Sequence, residues 1–470
     1  MAVGGEVLLY ACQLISRFIS DQPFCARDSD MDSISASNLE SHLSHLTKTI
    51  GIRLAGTDGE RLAADYLCEQ GERMGVQASV ETFPVNARAV ESECLKVQTG
   101  AGNEAFKCSL FSNSPGTNGR EIRGEIAVFE APAATLHDDY SRFTGKAVIH
   151  LGCHIESRES YRRLIEAKPA FLMFVDVRYP GPDPRADGLF PAYVESIGAV
   201  PVVNVAFADA LSWIRDGATW ASLIVDGGMV PGESQNVVFD LPGSSDDILL
   251  LGAHHDTQAD TVGANDNASG VVSLLELLRV LVPLERRRSI RLISFGAEEQ
   301  LSVGSAVYVR RHRQALEGRA KLIFNIDSIG AIMGWNELIT NGPAELEEYM
   351  LGQFHARSQF AKVLPSIMPY ADHFPFVAAG IPGVTFWRFN CSSGISTHHH
   401  PTDRMDMIST RNMAKYLDIV ATMMADLSQR ETLPFKSSIP VEQAHAVESY
   451  WSDLFGGWLV SRGVVRNRVF

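Results

Sequence analysis

Residues 247–299, DILLLGAHHDTQADTVGANDNASGVVSLLELLRVLVPLERRRSIRLISFGAEE, decide the fold. They open on the apolar run Ile248–Leu251, bounded by polar turn residues, which reads as a buried strand. SGVVSLLELLRVLV (269–282) then carries an apolar stripe at helical spacing, and SIRLISFGAEE (289–299) is a second strand. The alternation extends to both sides. NVVFDLPG (236–243) precedes it, and KLIFNIDSIG (321–330) and PGVTFWRFN (382–390) follow as further strands with helical segments between them. Strands that are apolar almost throughout and alternate with helices imply an α/β fold, a largely parallel central sheet with helices on both faces.

Working toward the N-terminus, residues 89–231 have a different texture, with short apolar runs separated by Gly, Pro and Asn. GEIAVFE, KAVIHLG, AFLMFVDV and VPVVNVAF read as strands and SRESYRRLIEA as a helix, a β-rich unit with its own core. Its ends are expected at a loop around Asn86 and at the turn residues of DGGMVPGES (226–234). The expected division is a catalytic domain made of residues 1–88 and 232–470, with 89–231 inserted. Within 37–88 the spacing predicts a helix over Asn38–Ile50 capped by Ser37 or Asn38, and a Gly-rich loop GIRLAGTDGE (51–60). A second helix follows to Met74, then a strand VQASVETFPV that stops at Pro84.

The whole chain sets outer limits. Its 470 residues suffice for two to four domains, and a formal charge of −15 argues against a nucleic-acid partner. No apolar run is long enough for a membrane span. The apolar stretch Val7–Ile19 lacks a basic n-region and follows helical spacing, so it reads as a packed amphipathic helix rather than a signal peptide. Seven cysteines without a C-x-x-C pair suit reduced, buried thiols, which favours a cytoplasmic location over a secreted one.

The polar residues fall at the strand ends. His254 and Asp256 follow the run ending at Leu251, Glu298 and Glu299 follow Phe295, and Asp327 follows Ile326. Asp266 lies in the loop entering the next helix, and STHHHPTD (396–403) follows the last strand. Open α/β sheets bind ligands at the carboxyl ends of their strands. Imidazole nitrogen and carboxylate oxygen suit zinc, while cobalt or manganese also accept such N/O sites. Two metals need a shared ligand. With Asp266 bridging, His254 and Asp327 serve one metal, and Glu299 and a histidine near 399 the other. Glu298 is left over as a proton acceptor. Each residue alone has a plainer reading: a hydrogen-bonded histidine, an Asp-Asn helix cap, a solvated Glu-Glu pair. Their conjunction points to a metal centre.

These motifs resemble the M28 family of metallopeptidases, di-zinc aminopeptidases related to glutamate carboxypeptidase. GIRLAGTDGERLAADYL resembles the family's N-terminal motif and AHHDT its first metal motif. GANDNASG resembles the bridging-aspartate motif, AEE the base-plus-ligand pair, and NID the next ligand. ADHFPFVAAGIPG and HHPTDRMD resemble the closing stretches. GKAVIHLG and IGAVPVVNV resemble the protease-associated domain inserted in many such enzymes.

The resemblance implies two zinc ions held by His254, Asp266, Glu299, Asp327 and His399, and a peptide or small amide as substrate. It makes Glu298 the base, has Asp256 orient His254, and has Asp403 do the same for His399. Spacing to Pro401 and Asp403 favours His399, and a shifted register would make His398 or His400 the ligand. The family often has a Tyr just before this ligand, where this chain has His398.

Other activities fit the same set. A carboxypeptidase, dipeptidase or amidase needs a cation for the substrate carboxylate, for which Arg53 and Arg388 are candidates. A glutaminyl-cyclase-like acyltransferase works with one zinc, and a non-enzymatic receptor loses ligands.

Overall fold

A computed structural model describes residues 31–100, 102–130, 139–155, 157–364, 366–388 and 395–458. The stretch Val7–Ile19 and cysteines 12, 25 and 391 lie outside them. The strands in chain order are β1 (Ala78–Thr99), β2 (Gly102–Phe106), β3 (Cys108–Leu110), β4 (Ile122–Phe129), β5 (Ala147–Leu151), β6 (Phe171–Val175) and β7 (Val202–Val205). They continue with β8 (Trp220–Leu241), β9 (Ile248–His254), β10 (Ser289–Phe295), β11 (Ala320–Ile326), β12 (Asn336–Asn341), β13 (Ala361–Leu364) and β14 (Gly383–Trp387).

The sheet runs β13-β12-β14-β11-β9-β10-β8-β4-β5-β6-β7-β3, with β1 paired to β8 and β2. Its centre, β14-β11-β9-β10, is parallel, so these four strands end at one edge. Parallel neighbours need helical crossovers, and the helices cover both faces. On one face Leu250, Ile293, Phe295 and Ile323 pack with Tyr308 and Val309 of the helix Val303–Leu316 and with Phe376. On the other, the helix Ser269–Leu281, buried over nearly its whole length, packs with the helices Ala36–Ser44 and Thr410–Gln429. The expected α/β architecture is present.

Local expectations fare unevenly. The first helix is capped by Ser35, whose side chain accepts from the Asn38 amide, rather than by Ser37 or Asn38. The first strand does not stop at Pro84, which pairs opposite Glu233 inside β1. Along residues 78–90, β8 is the only partner of β1 among the described residues, and an edge strand tolerates a residue without an N–H. Nor do Asn86 and residues 226–234 form loops. They pair along one long antiparallel β1–β8 ribbon, with a bulge between Val90 and Ser92.

One end of this ribbon borders the parallel strands through β10, and the other carries Leu95, Val97, Leu223 and Val225 into a separate core with β5–β7. A further apolar cluster joins Phe111, Phe190 and Tyr193 to Phe374, Val377 and Trp451. Among the described residues no helix is long and apolar enough to cross a membrane.

His150 on β5 is fully buried, stacked on Phe174 with ring centroids 4.1 Å apart, and its Nε2 has no hydrogen-bond partner among the described residues. Burial lowers its pKa to about 4 from an ordinary 6.5. A depressed pKa stabilises the fold above the unfolded value, and that stabilisation is lost as the pH falls from 6.5 toward 4. The linkage amounts to about 3 kcal/mol. His150→Phe is expected to flatten the pH dependence of unfolding free energy in that window, as measured by urea titration. Parallel curves for the two proteins would refute this assignment.

Candidate metal centre

The parallel register brings the predicted residues together. His254 ends β9 opposite Phe295 at the end of β10, and Asp327 follows β11 directly. His254 Nε2 lies 3.3 Å from Asp266 Oδ1, 3.7 Å from Asp327 Oδ1 and 3.8 Å from Glu298 Oε2. On the other side of Asp266, its Oδ2 lies 3.6 Å from His399 Nε2, and His399 Nε2 lies 3.0 Å from Glu299 Oε2. Among the described residues two sets of donor atoms fall within 4.8 Å, His254/Asp266/Glu299 and Asp266/His398/His399, and they share Asp266. Of the three histidines, His398 and His399 both reach Asp266, at 3.4 and 3.6 Å. His400 faces Thr402 and Asp183 instead.

The backbone around these groups is unusual. Glu298–Gln300 form a 3-10 turn between Ala297, Leu301 and Ser302, all in the left-handed region at φ 52°, 70° and 48°. Non-glycine residues there carry local strain that the surroundings must offset. Much of that support comes from the Gly-rich loop. The carboxylate of Glu60 is buried and accepts from the Ala297 amide at 3.1 Å, the Ser234 hydroxyl at 2.7 Å and the Gly56 amide at 2.7 Å. Gly296 is required next to it, because a Cβ there would meet Ser234 Oγ at 2.3 Å and Gln235 O at 2.6 Å.

Asp256 accepts from the amides of Glu298 and Glu299, at 2.9 and 3.1 Å, and its Oδ1 sits 3.5 Å from His254 Nδ1. It holds the Glu298–Glu299 turn by hydrogen bonds, while His254 Nδ1 makes no hydrogen bond among the described residues. Asp403 does not orient His399. Its two oxygens accept from the amides of Asn265 and Asp266, at 2.8 and 2.9 Å, so it holds the loop that presents Asp266. Asn267 caps the following helix by accepting from Gly270 N at 2.7 Å, the plain role expected of an Asp-Asn pair, while Asp266 beside it points to the cluster.

Both candidate substrate cations are committed elsewhere. Arg53 is fully buried and donates to the carbonyls of Gly51, His255, Val262 and Gly263. Arg388 donates to Ala331 O, Asn336 Oδ1 and Gly334 O.

Electrostatically the cluster favours positive charge. Burial raises Glu298 well above the carboxylate range, reinforced by Asp372, Glu299 and Asp327. Burial would lower His254, yet Glu298, Asp256, Asp266 and Asp327 together hold it well above its ordinary value. Glu299 Oε1 is buried without a hydrogen-bond partner among the described residues. Paired carboxylates, imidazoles and an orphaned oxygen are a donor set that fits zinc. Reading the sequence missed Glu60, Ser302 and Asp372 beside Glu298. It also missed Tyr179 and Arg185, which reach the histidine loop from residues 89–231. Glu60 and Asp372 carried a signal, through their places in the Gly-rich loop and in ADHFPFVAAGIPG.

Residues 236–424 match the model of peptidase family M28. Aminopeptidase YwaD of Bacillus subtilis (strain 168) is 25% identical over 415 residues, 85% of this chain and 86% of that protein. Two solved structures share the fold. The zinc aminopeptidase BSAP of Bacillus subtilis has a TM-score of 0.68 at 22% identity, covering 87% of this chain and 98% of that one. A peptidase M28 precursor of Shewanella amazonensis SB2B has a TM-score of 0.73 at 18% identity, covering 86% and 96%.

Asp403→Ala would leave two buried amides unpaired, a loss of about 2–6 kcal/mol at 1–3 kcal/mol each. A denaturant midpoint equal to that of the unchanged chain would show that water replaces the carboxylate.

Proposed function

We propose that this chain, whose residues 236–424 are a peptidase family M28 domain, is a metal-dependent aminopeptidase that cleaves the N-terminal residue from peptides with two zinc ions. The observation that carries the reading is the sharing of Asp266 between two sets of donors at the strand ends. His254 and Asp327 would hold one zinc, Glu299 and His399 the other, and Asp266 would bridge them. Bound zinc supplies Lewis acidity and brings the activation of water within reach of neutral pH. YwaD, which this chain matches over most of both lengths, is an aminopeptidase, and this supports the substrate class. The committed donors of Arg53 and Arg388 weigh against a carboxypeptidase, since both guanidiniums are buried and already donate to oxygens of the chain itself.

The chain's own groups have separable tasks. The Ser302 hydroxyl donates to Glu298 Oε1 at 3.0 Å, leaving Oε2, the oxygen nearer His254, to take the proton of the attacking water. A carboxylate at this place can take a proton from water, and the same oxygen then protonates the departing amine. Asp256 keeps the Glu298–Glu299 turn in place through these changes. The reading divides the chain as residues 1–88 with 232–470 for catalysis and 89–231 as a protease-associated insert. The β1–β8 ribbon, which leaves and re-enters the peptidase part side by side, supports that division.

Glu298→Gln is expected to lower kcat by at least about 10²–10⁴-fold while two zinc ions per chain remain bound. Near-normal turnover by a metal-loaded Glu298→Gln protein would remove Glu298 from this role. Nα-acetylation of a test peptide is expected to abolish its cleavage, and equal rates for free and acetylated peptides would refute the aminopeptidase reading.

A further inference from the structure

Three consecutive histidines carry no internal signal for register, because a one-residue slip puts an identical ring in each place. Something outside the triplet has to set which imidazole faces Glu299. The segment running from Tyr179 to Ala186, outside residues 236–424, touches all three. The Tyr179 hydroxyl lies 3.1 Å from His398 Nδ1, and Ala186 N donates to His399 O at 3.2 Å. Asp183 Oδ2 lies 3.7 Å from His400 Nε2.

Arg185 spans the loop backbone, donating from Nη1 to His398 O at 2.6 Å and from Nη2 to Ser396 O at 2.8 Å. It is buried, and its own amide is tied to Asn204 of β7 at 2.7 Å, so the fork is anchored in the sheet of residues 89–231. The guanidinium also lies over the Tyr179 ring, 4.6 Å from its centroid. A planar fork fixes direction as well as distance, which a single ammonium does not.

The consequence is visible at His399. Its φ of 53° is left-handed, a conformation a non-glycine residue keeps only when its surroundings hold it. In that conformation its Nε2 reaches Glu299 Oε2 at 3.0 Å, while His398 is turned to Tyr179 and Asp266 and His400 to Asp183.

We infer that Tyr179, Asp183, Arg185 and Ala186 form a clamp that sets the register of the histidine triplet and so selects His399 as the metal ligand. Tyr179 and Arg185 are positioning residues and touch no reacting atom. The inference rests on the proposed zinc pair, and it assigns residues 89–231 a part in building the metal centre.

The test uses the full chain and zinc itself. Zinc is titrated against a chromophoric chelator, and the visible spectrum of the cobalt-substituted protein is recorded. Arg185→Ala and Arg185→Lys are each expected to bind one of two zinc ions about 10–100-fold more weakly, with the other unchanged and the cobalt spectrum altered. Lysine keeps the charge and loses the fork, so it separates positioning from simple electrostatics. Tyr179→Phe removes one hydroxyl from a ring that stays packed, and is expected to weaken the same ion less. Thermal unfolding of the metal-free proteins shows whether each variant folds.

Unchanged zinc affinities and cobalt spectra in Arg185→Lys and Tyr179→Phe would overturn the clamp, as would equal weakening of both ions. Failure of the unchanged chain to bind a second zinc would count against the zinc pair itself, and the cobalt spectra would then still decide the clamp.

Discussion

The constraint on which the rest of this structure depends is the crowding of carboxylates in a buried place. Asp256, Asp266, Glu298, Glu299 and Asp327 all lie against His254 or one another at one edge of the sheet. Like charges brought that close with little water disfavour ionisation, and the surrounding polypeptide has to offset the penalty. It does so with amides and with cations of its own. Asp256 draws on two amides of the Glu298 turn, and the positive charge of buried Arg53 faces Asp256, Asp403, Asp266 and Glu299. A divalent cation at Asp266 is the natural complement to such a field.

This constraint accounts for features that otherwise look unrelated. The left-handed turns at Ala297, Leu301 and Ser302 bring Glu298 and Glu299 back over the end of β10, which a regular continuation of the strand would carry past the cluster. The Gly-rich loop, distant in sequence, supplies Glu60 to hold the Ala297 amide and Arg53 to hold the carbonyls flanking the His254 and Asp266 loops. Asp403, just after the histidine triplet, closes the arrangement from the other side by gripping the Asp266 loop. The Glu298 turn, the Asp266 loop and the histidine loop are thus each held by a group from another segment.

The metal centre also draws on residues far from the parallel strands. The β1–β8 ribbon carries the chain out to a second core and back, and the returning apolar cluster packs Phe190 and Tyr193 beside Phe374 and Val377. That packing brings Arg185 and Tyr179 against the histidine loop. A binding centre assembled from elements with separate cores can be tuned by either, which gives the residues between the ribbon strands a reason to be specific rather than merely present.

Much of this was legible in the residues themselves. Apolar runs alternating with helical stripes determined the parallel sheet, because burial on both faces leaves no room for polar alternation. His254, Glu298, Glu299 and Asp327 were legible because each closely follows such a run, where a parallel register aligns them, and Asp266 because its loop enters the next helix beside the same edge. Pro84, Asn86 and residues 226–234 were misread as breaks, since pairing with a long partner strand overrides local turn preference. Asp403 was assigned the wrong task, since sequence spacing says nothing about which donor a carboxylate meets. Spacing to Pro401 and Asp403 pointed to His399, but what distinguishes it from two identical neighbours is supplied by the tertiary structure. Its conformation is set by hydrogen bonds from residues more than two hundred positions away, and no local pattern records a contact across that distance.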